Sequence, residues 1–205
     1  ILLMGNHDRR RALRQIFPDA DDDGSGYVQA VRHFDAASVL TLDTVDEESR
    51  THAGFLCAHR LAFLDRALAE APADRPVLLF QHHPPFDTGL PHLDRIRLRN
   101  PENLWAVFEK RRRPDYIFMG HVHRPIAGSW RGIPFHIQRA TSHQVAFDLA
   151  STEIPGSLEL PDYSFVRVEP QSIVIHQRPF LYDGPTFWLH DKAAQDAANV
   201  SALAH

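Results

Sequence analysis

The chain has 205 residues, of which 43% are hydrophobic and 23% charged, the balance of an ordinary soluble globular domain. A net charge of −4, with no basic tract longer than residues 110–113, gives no indication of binding to a nucleic-acid duplex. No apolar run reaches the ~18 residues of a membrane span, and no signal peptide is visible. The single cysteine, Cys57, excludes an intramolecular disulfide, so we expect a protein of the reducing cytoplasm.

The first two thirds of the chain alternate between apolar runs and helical periodicity. Strands are predicted at 1–4, 27–34, 38–42, 76–80 and 114–119, and helices at 9–16, 58–70 and 101–112. Asp8 is the expected N-cap of the first helix. The later chain changes to strands, with a hairpin at 126–130 and 133–137 and a strand pair at 163–168 and 172–177. This order predicts an α/β fold in which helices cover one sheet and the late strands form a second sheet.

Histidine is the unusual entry in the composition, with 14 residues. The predicted strands at 1–4, 76–80 and 114–119 each end in a polar cluster: Gly5-Asn6-His7-Asp8, Gln81-His82-His83 and Gly120-His121-Val122-His123. The carboxyl ends of parallel strands lie on one edge of a sheet, with neighbours ~4.8 Å apart, so these side chains are expected to converge. Imidazole and amide oxygen suit Zn, Fe, Mn or Ni, and the set therefore predicts a metal site.

These motifs resemble the calcineurin-like metallophosphoesterase superfamily, and within it the bacterial class III cyclic nucleotide phosphodiesterase and glycerophosphodiesterase branch. The family carries, in order, Asp-x-His, Gly-Asp, Gly-Asn-His-[Asp/Glu], a strand-end histidine and Gly-His-x-His, and the last three are present here. The resemblance implies a four-layer α/β/β/α sandwich with two packed sheets, N-terminally truncated. We expect its domain to span residues 1–190, followed by an Ala-rich tail at 191–205.

The resemblance also implies a ligand set. Asn6, His82 and His121 would bind one metal ion, and His123 would bind a second. Both would be divalent or trivalent ions of Fe, Mn or Zn, since the same ligand types serve all three.

The remaining site residues follow from the same resemblance and from position in the chain. His7 would face the phosphate as general acid or charge stabiliser, and Asp8 would orient a neighbouring group. His7, His83 and Arg95 are the expected substrate contacts. His83 is not expected to bind metal, because side chains of consecutive residues in an extended segment diverge. Arg95 lies in the loop at 86–99, whose arginines could equally be solvated charges.

The chain departs from the family pattern before Asn6, where Asp-x-His and Gly-Asp do not stand. We therefore expect the second metal ion to lack most of its ligands, and neither Asp43 nor Asp87 is assumed to replace them. In an intact protein, the resemblance implies two metal ions ~3.5–4 Å apart and a bridging hydroxide that attacks phosphorus in line.

Three functions stay open on the sequence. The first is a phosphodiester hydrolase acting on a cyclic nucleotide or a glycerophosphodiester. The second is a catalytically incomplete, folded module that forms a homodimer through the aromatic stretch 180–188 and the late strands. The third is a phosphomonoesterase or nucleotidase on the same fold.

Overall fold

A six-stranded mixed sheet forms the centre of the computed structural model, which describes residues 1–49 and 51–181. Its strands are β1 (Ala30–His33), β2 (Ser38–Leu42), β3 (Val77–Gln81), β4 (Tyr116–Met119), β5 (Ile126–Trp130) and β6 (Ile133–Ile137). They lie in the order β1-β2-β3-β4-β6-β5. From β2 to β6 the inner strands run parallel, and the two edge strands are antiparallel to their neighbours. The inner strands read as continuous apolar runs because both of their faces are covered.

The second and fourth of the described helices cover one face of this sheet. The helices are α1 (Arg10–Ile16), α2 (Ala58–Glu70), α3 (Pro91–Asp94) and α4 (Pro101–Lys110). Leu64 and Leu68 of α2 and Leu104 and Phe108 of α4 are buried in the main core together with sheet residues. The apolar stripe that predicts each of these two helices is therefore the surface that attaches it to the sheet. None of the helices in the described part has the length and apolarity that a membrane crossing needs.

A strand hairpin covers the opposite face. It consists of β9 (Asp162–Glu169) and β10 (Ser172–Pro179), and a separate two-residue pair joins β7 (Gln144–Val145) to β8 (Gly156–Ser157). Val166 and Ile173 of the hairpin pack against Leu78 and Phe118 of the main sheet. The predicted α/β fold with two packed sheets is confirmed.

The described residues supply three of the four predicted layers, namely helices, main sheet and hairpin. The expected domain boundary at 190, the tail at 191–205 and most of the aromatic stretch 180–188 lie outside the described residues.

Two predictions at the start of the chain are wrong. Residues 1–4 form no strand among the described residues; the apolar run instead places Met4, fully buried, against Val28 and Val45. Asp8 does not cap the first helix, which begins at Arg10. Its Oδ2 accepts the Gly5 N–H at 2.8 Å, and its own N–H donates to the Gly5 carbonyl at 3.0 Å. The carboxylate is thus used to close the turn that carries Asn6 and His7.

A buried carboxylate connects this turn to the sheet. Asp43 follows β2, is fully buried, and accepts hydrogen bonds from Arg10 at 2.8 and 2.9 Å. Arg60 of α2 donates to the Asp43 carbonyl at 2.9 Å, and its guanidinium lies 3.7 Å from the carboxylate. Since Arg10 begins the helix that follows the turn, Asp43 fixes the turn relative to the end of β2.

Replacing this carboxylate should therefore destabilise the fold. We expect Asp43→Asn to lower the free energy of unfolding by about 3 kcal/mol, because it leaves the buried guanidinium of Arg60 without an anion and leaves Arg10 with Glu47 alone. Urea denaturation followed by circular dichroism measures this. The control is Asp74→Asn, which removes an exposed pair with Arg75 and should change stability very little. Equal effects of the two substitutions would contradict this role for Asp43.

Candidate metal centre

Three parallel strands end together at one edge of the main sheet. Leu42 at the end of β2 pairs with Gln81 at the end of β3, and the Gly120 N–H after β4 donates to the His82 carbonyl at 3.1 Å. The residues that follow these ends therefore lie side by side. The convergence predicted from the sequence is present, but its third strand is β2, which contributes Thr44, rather than residues 1–4.

The amide oxygen of Asn6 lies where two imidazoles meet. His82 Nε2 donates to Asn6 Oδ1 at 2.8 Å, and His121 Nδ1 donates to the same oxygen at 3.4 Å. The ring centroids of the two histidines are 5.1 Å apart. Three side chains predicted as metal ligands are thus brought together by elements far apart in the chain.

A buried nitrogen without a hydrogen-bond partner among the described residues makes this cluster suitable for a cation. His121 Nε2 is buried and has no hydrogen-bond partner within the described part of the chain. A buried nitrogen without a partner costs free energy unless a ligand satisfies it. Two imidazoles and one amide oxygen are a donor set that suits Zn, Mn or Fe.

Glycines and strained backbone make room for the cluster. A Cβ atom on Gly5 would lie 3.0 Å from His82 Cε1, and one on Gly120 would lie 3.2 Å from His82 Nδ1. Both glycines of the sequence motifs therefore border the His82 ring. His121 and His123 have φ values of 68° and 54°, a left-handed conformation that non-glycine residues rarely adopt and that concentrates at functional sites.

His83 is fully buried beside these ligands and is held by the protein itself. The Thr44 hydroxyl donates to His83 Nδ1 at 2.8 Å, and His83 Nε2 donates to the His52 carbonyl at 3.0 Å. A Cβ on Gly54 would lie 2.6 Å from the His83 ring. One of its nitrogens lies within 4.8 Å of a ligand atom of His82 and of His121, yet both of its nitrogens are already engaged in hydrogen bonds. Substrate contact by His83 stays a prediction.

Burial keeps the clustered imidazoles neutral. It lowers the pKa of His82 and of His121 well below the usual histidine range, and the charges of neighbouring histidines lower both further. Burial likewise lowers the pKa of His83 to about 4. Since only a neutral imidazole can bind a metal ion, the site is ready to accept a cation without first losing protons.

His123, the ligand predicted for a second ion, lies half-buried at the rim. Its Nδ1 donates to the His143 carbonyl at 3.0 Å, and the two rings are 4.8 Å apart. Burial, and then the charge of His143, lowers the pKa of His123. Its role as a ligand stays a prediction.

The two predicted catalytic residues are exposed on the turn beside the cluster. The His7 ring lies 4.9 Å from that of His52 at a tilt of 37°. Asp8 serves the turn as described above, and its catalytic role stays a prediction. A polar cavity of about 230 Å³ opens here, with a wall formed by Asn6, Arg9, Val45, Asp46, Ser49, Thr51, His52, Ala53 and His83.

The charged loop near the site is tied to the protein. The exposed Arg95 donates to the Thr152 carbonyl, and Arg97 pairs with Asp87 at 2.6 Å. Asp43 and Asp87 therefore each bind an arginine. Substrate binding by Arg95 stays a prediction.

Thr44 and His52 are the site residues that sequence reasoning missed. Thr44 carries a usable signal, since it stands two residues after a predicted strand, as the other clusters do. His52 lies in an irregular polar segment, and no pattern in the sequence connects it to His7 or His83.

Comparison with known families agrees with this geometry. The family model described as calcineurin-like phosphoesterase matches residues 1–125, which is more than half of the chain. The chain belongs to this family.

Its relatives are bacterial enzymes of related names. A probable cyclic nucleotide phosphodiesterase from Rhodopseudomonas palustris is 63% identical over 195 residues, covering 95% of this chain and 71% of the relative. A glycerophosphodiester phosphodiesterase from Enterobacter lignolyticus is 29% identical over 198 residues, covering 94% and 69%. The 3′,5′-cyclic adenosine monophosphate phosphodiesterase of Escherichia coli is 34% identical over 134 residues, covering 64% and 46%.

A solved structure supports the fold. The crystal structure of a dimetal phosphatase from Danio rerio superimposes with a TM-score of 0.52 at 18% identity, covering 67% of this chain and 59% of that one. At this identity the similarity concerns the architecture alone.

The neutral buried imidazoles make stability depend on pH in the metal-free protein. In the unfolded chain each has an ordinary pKa of ~6.5, so protons bind the unfolded state more tightly. Stability should be complete above pH ~6.5 and should fall, for His83, until about pH 4, with a slope of about 1.4 kcal/mol per pH unit for each such group. Urea denaturation in EDTA at pH 7, 6 and 5 measures this. His83→Asn should reduce the slope, whereas a slope equal in both proteins would contradict the assignment.

Proposed function

We propose that the chain is a metal-dependent phosphodiester hydrolase of the calcineurin-like family. The observation that carries the proposal is the meeting of His82, His121 and Asn6 at one amide oxygen. These three residues would hold one metal ion, and His123 would contribute to a second. Iron, manganese and zinc all fit the donor types.

The proposed role of the protein's own side chains is to position the phosphate and to supply a proton to the leaving group. When bound, the two ions supply Lewis-acid activation of the phosphate and of the attacking water. His7, exposed on the turn beside Asn6, would donate a proton to the departing alkoxide or stabilise the charge that forms on it. Asp8 would act through the turn, because its carboxylate holds the Gly5 N–H and so the direction of the His7 side chain. His83 would pack, as a neutral imidazole, against the rings of His82 and His121 and so keep these ligands in place.

The names of the relatives support a small phosphodiester as substrate, either a 3′,5′-cyclic nucleotide or a glycerophosphodiester. The cytoplasm is the proposed compartment, consistent with Cys57 as a free thiol. A homodimer is also proposed. Its support is the exposure of Tyr163 and Phe165 on the hairpin and of Phe180 and Leu181 after it.

Hydrolysis of bis(p-nitrophenyl) phosphate with added Mn²⁺ tests the proposal. We expect turnover by the wild-type chain and a loss of about a hundredfold in His121→Ala, since the substitution removes a ligand. His176→Ala removes an exposed histidine from the hairpin and is the control, expected to keep the wild-type rate.

Wild-type turnover that survives in His121→Ala would contradict the proposed site. Mn²⁺ binding without turnover would favour the folded, inactive module. Faster hydrolysis of p-nitrophenyl phosphate than of the diester would favour a phosphomonoesterase.

A further inference from the structure

We propose that His52 is a substrate-binding residue, whose imidazole donates a hydrogen bond to a phosphate oxygen of the phosphodiester next to His7. The inference rests on the proposed function, because it takes the substrate to lie against the Asn6 cluster. It adds to that function a residue that neither the strand-end motifs nor the predicted ligand set includes.

The main chain at His52 is held firmly, so its ring has a defined position. The His52 carbonyl accepts the hydrogen bond from His83 at 3.0 Å. Two residues later, Gly54 bridges to Val45 and to Leu98, and its carbonyl accepts the Arg99 N–H at 2.9 Å. An exposed imidazole is therefore carried by a backbone attached to the ligand cluster on one side and to a second loop on the other.

The ring itself faces the place where substrate would bind. It lies against the exposed ring of His7 and lines the same polar cavity as Asn6 and Arg9. Its nitrogens make no hydrogen bond with any described residue, so they remain available to a ligand. Arg9 donates to the Asp8 carbonyl at 2.9 Å, which places a guanidinium at this cavity as well. The wall also holds the carboxylate of Asp46, which Arg99 pairs and so neutralises. The donors and the cation that remain suit the anionic oxygens of a phosphodiester.

The hydrogen bond to His83 allows the two roles of His52 to be separated. That bond uses the main-chain carbonyl, which any residue at this position retains. A substitution of the side chain therefore removes the ring and leaves the support of the ligand cluster intact. If the role of His52 were only structural, His52→Ala would behave like the wild type.

The experiment compares wild type, His52→Ala, His52→Gln and His176→Ala, all loaded with Mn²⁺. We expect His52→Ala to raise the KM for bis(p-nitrophenyl) phosphate about tenfold with kcat nearly unchanged, the loss of one charge-assisted hydrogen bond. The Kd for inorganic phosphate, measured by calorimetry, should rise by a similar factor. His52→Gln keeps a donor and should recover part of both losses. The Kd for Mn²⁺ should stay at the wild-type value in all four proteins.

The phosphate measurement separates failure of this inference from failure of the proposed function. Turnover by the wild type with an unchanged KM and an unchanged phosphate Kd in His52→Ala would overturn the role of His52 alone. If the wild type binds phosphate without hydrolysing the diester, the proposed function fails, and a weaker phosphate Kd in His52→Ala would still support the contact. If the wild type neither hydrolyses the diester nor binds phosphate, both are overturned.

Discussion

The parallel register of β2, β3 and β4 is the constraint on which the site depends. Because the three strands end level with one another, the side chains that follow them are placed at one edge without any long excursion of the chain. The two residues that follow β2 each bind a different part of the site. Asp43 binds Arg10 and so holds the turn with Asn6, while Thr44 binds His83 from the side. A change of register at β2 would therefore displace both the turn that carries Asn6 and the His83 side chain.

Desolvation gives this geometry its chemical character. The imidazoles lie so close that protonation of one disfavours protonation of the next, and burial already opposes the charged form of each. The result is a set of neutral imidazoles around the amide oxygen of Asn6. These imidazoles resist protonation and can bind a metal ion. His83 shows how the protein keeps this set in order, since its hydrogen bonds to Thr44 and to the His52 carbonyl prevent it from competing as a ligand.

Periodic and apolar patterns predicted the elements well. The strand at 38–42 and the helix at 58–70 have the predicted bounds. The spacing of apolar residues in such segments follows directly from which of their faces are buried. The family motifs predicted that Asn6 lies beside the strand-end histidines His82 and His121. The apolar run at 1–4 was misleading, since a buried loop needs the same residues as a strand. The contact of His52 with His83 joins positions 31 residues apart across an irregular loop, and no local pattern encodes it.

The central claim is that Asn6, His82 and His121 together bind a metal ion. The most direct measurement is a crystal structure of the protein grown with Mn²⁺, with data collected at a wavelength where manganese scatters anomalously. The account predicts an anomalous peak within ~2.0–2.3 Å of Asn6 Oδ1 and of one nitrogen from each of the two histidines, with His83 still bonded to Thr44. A peak bound by His83 with that bond broken, or no peak beside Asn6, would contradict it.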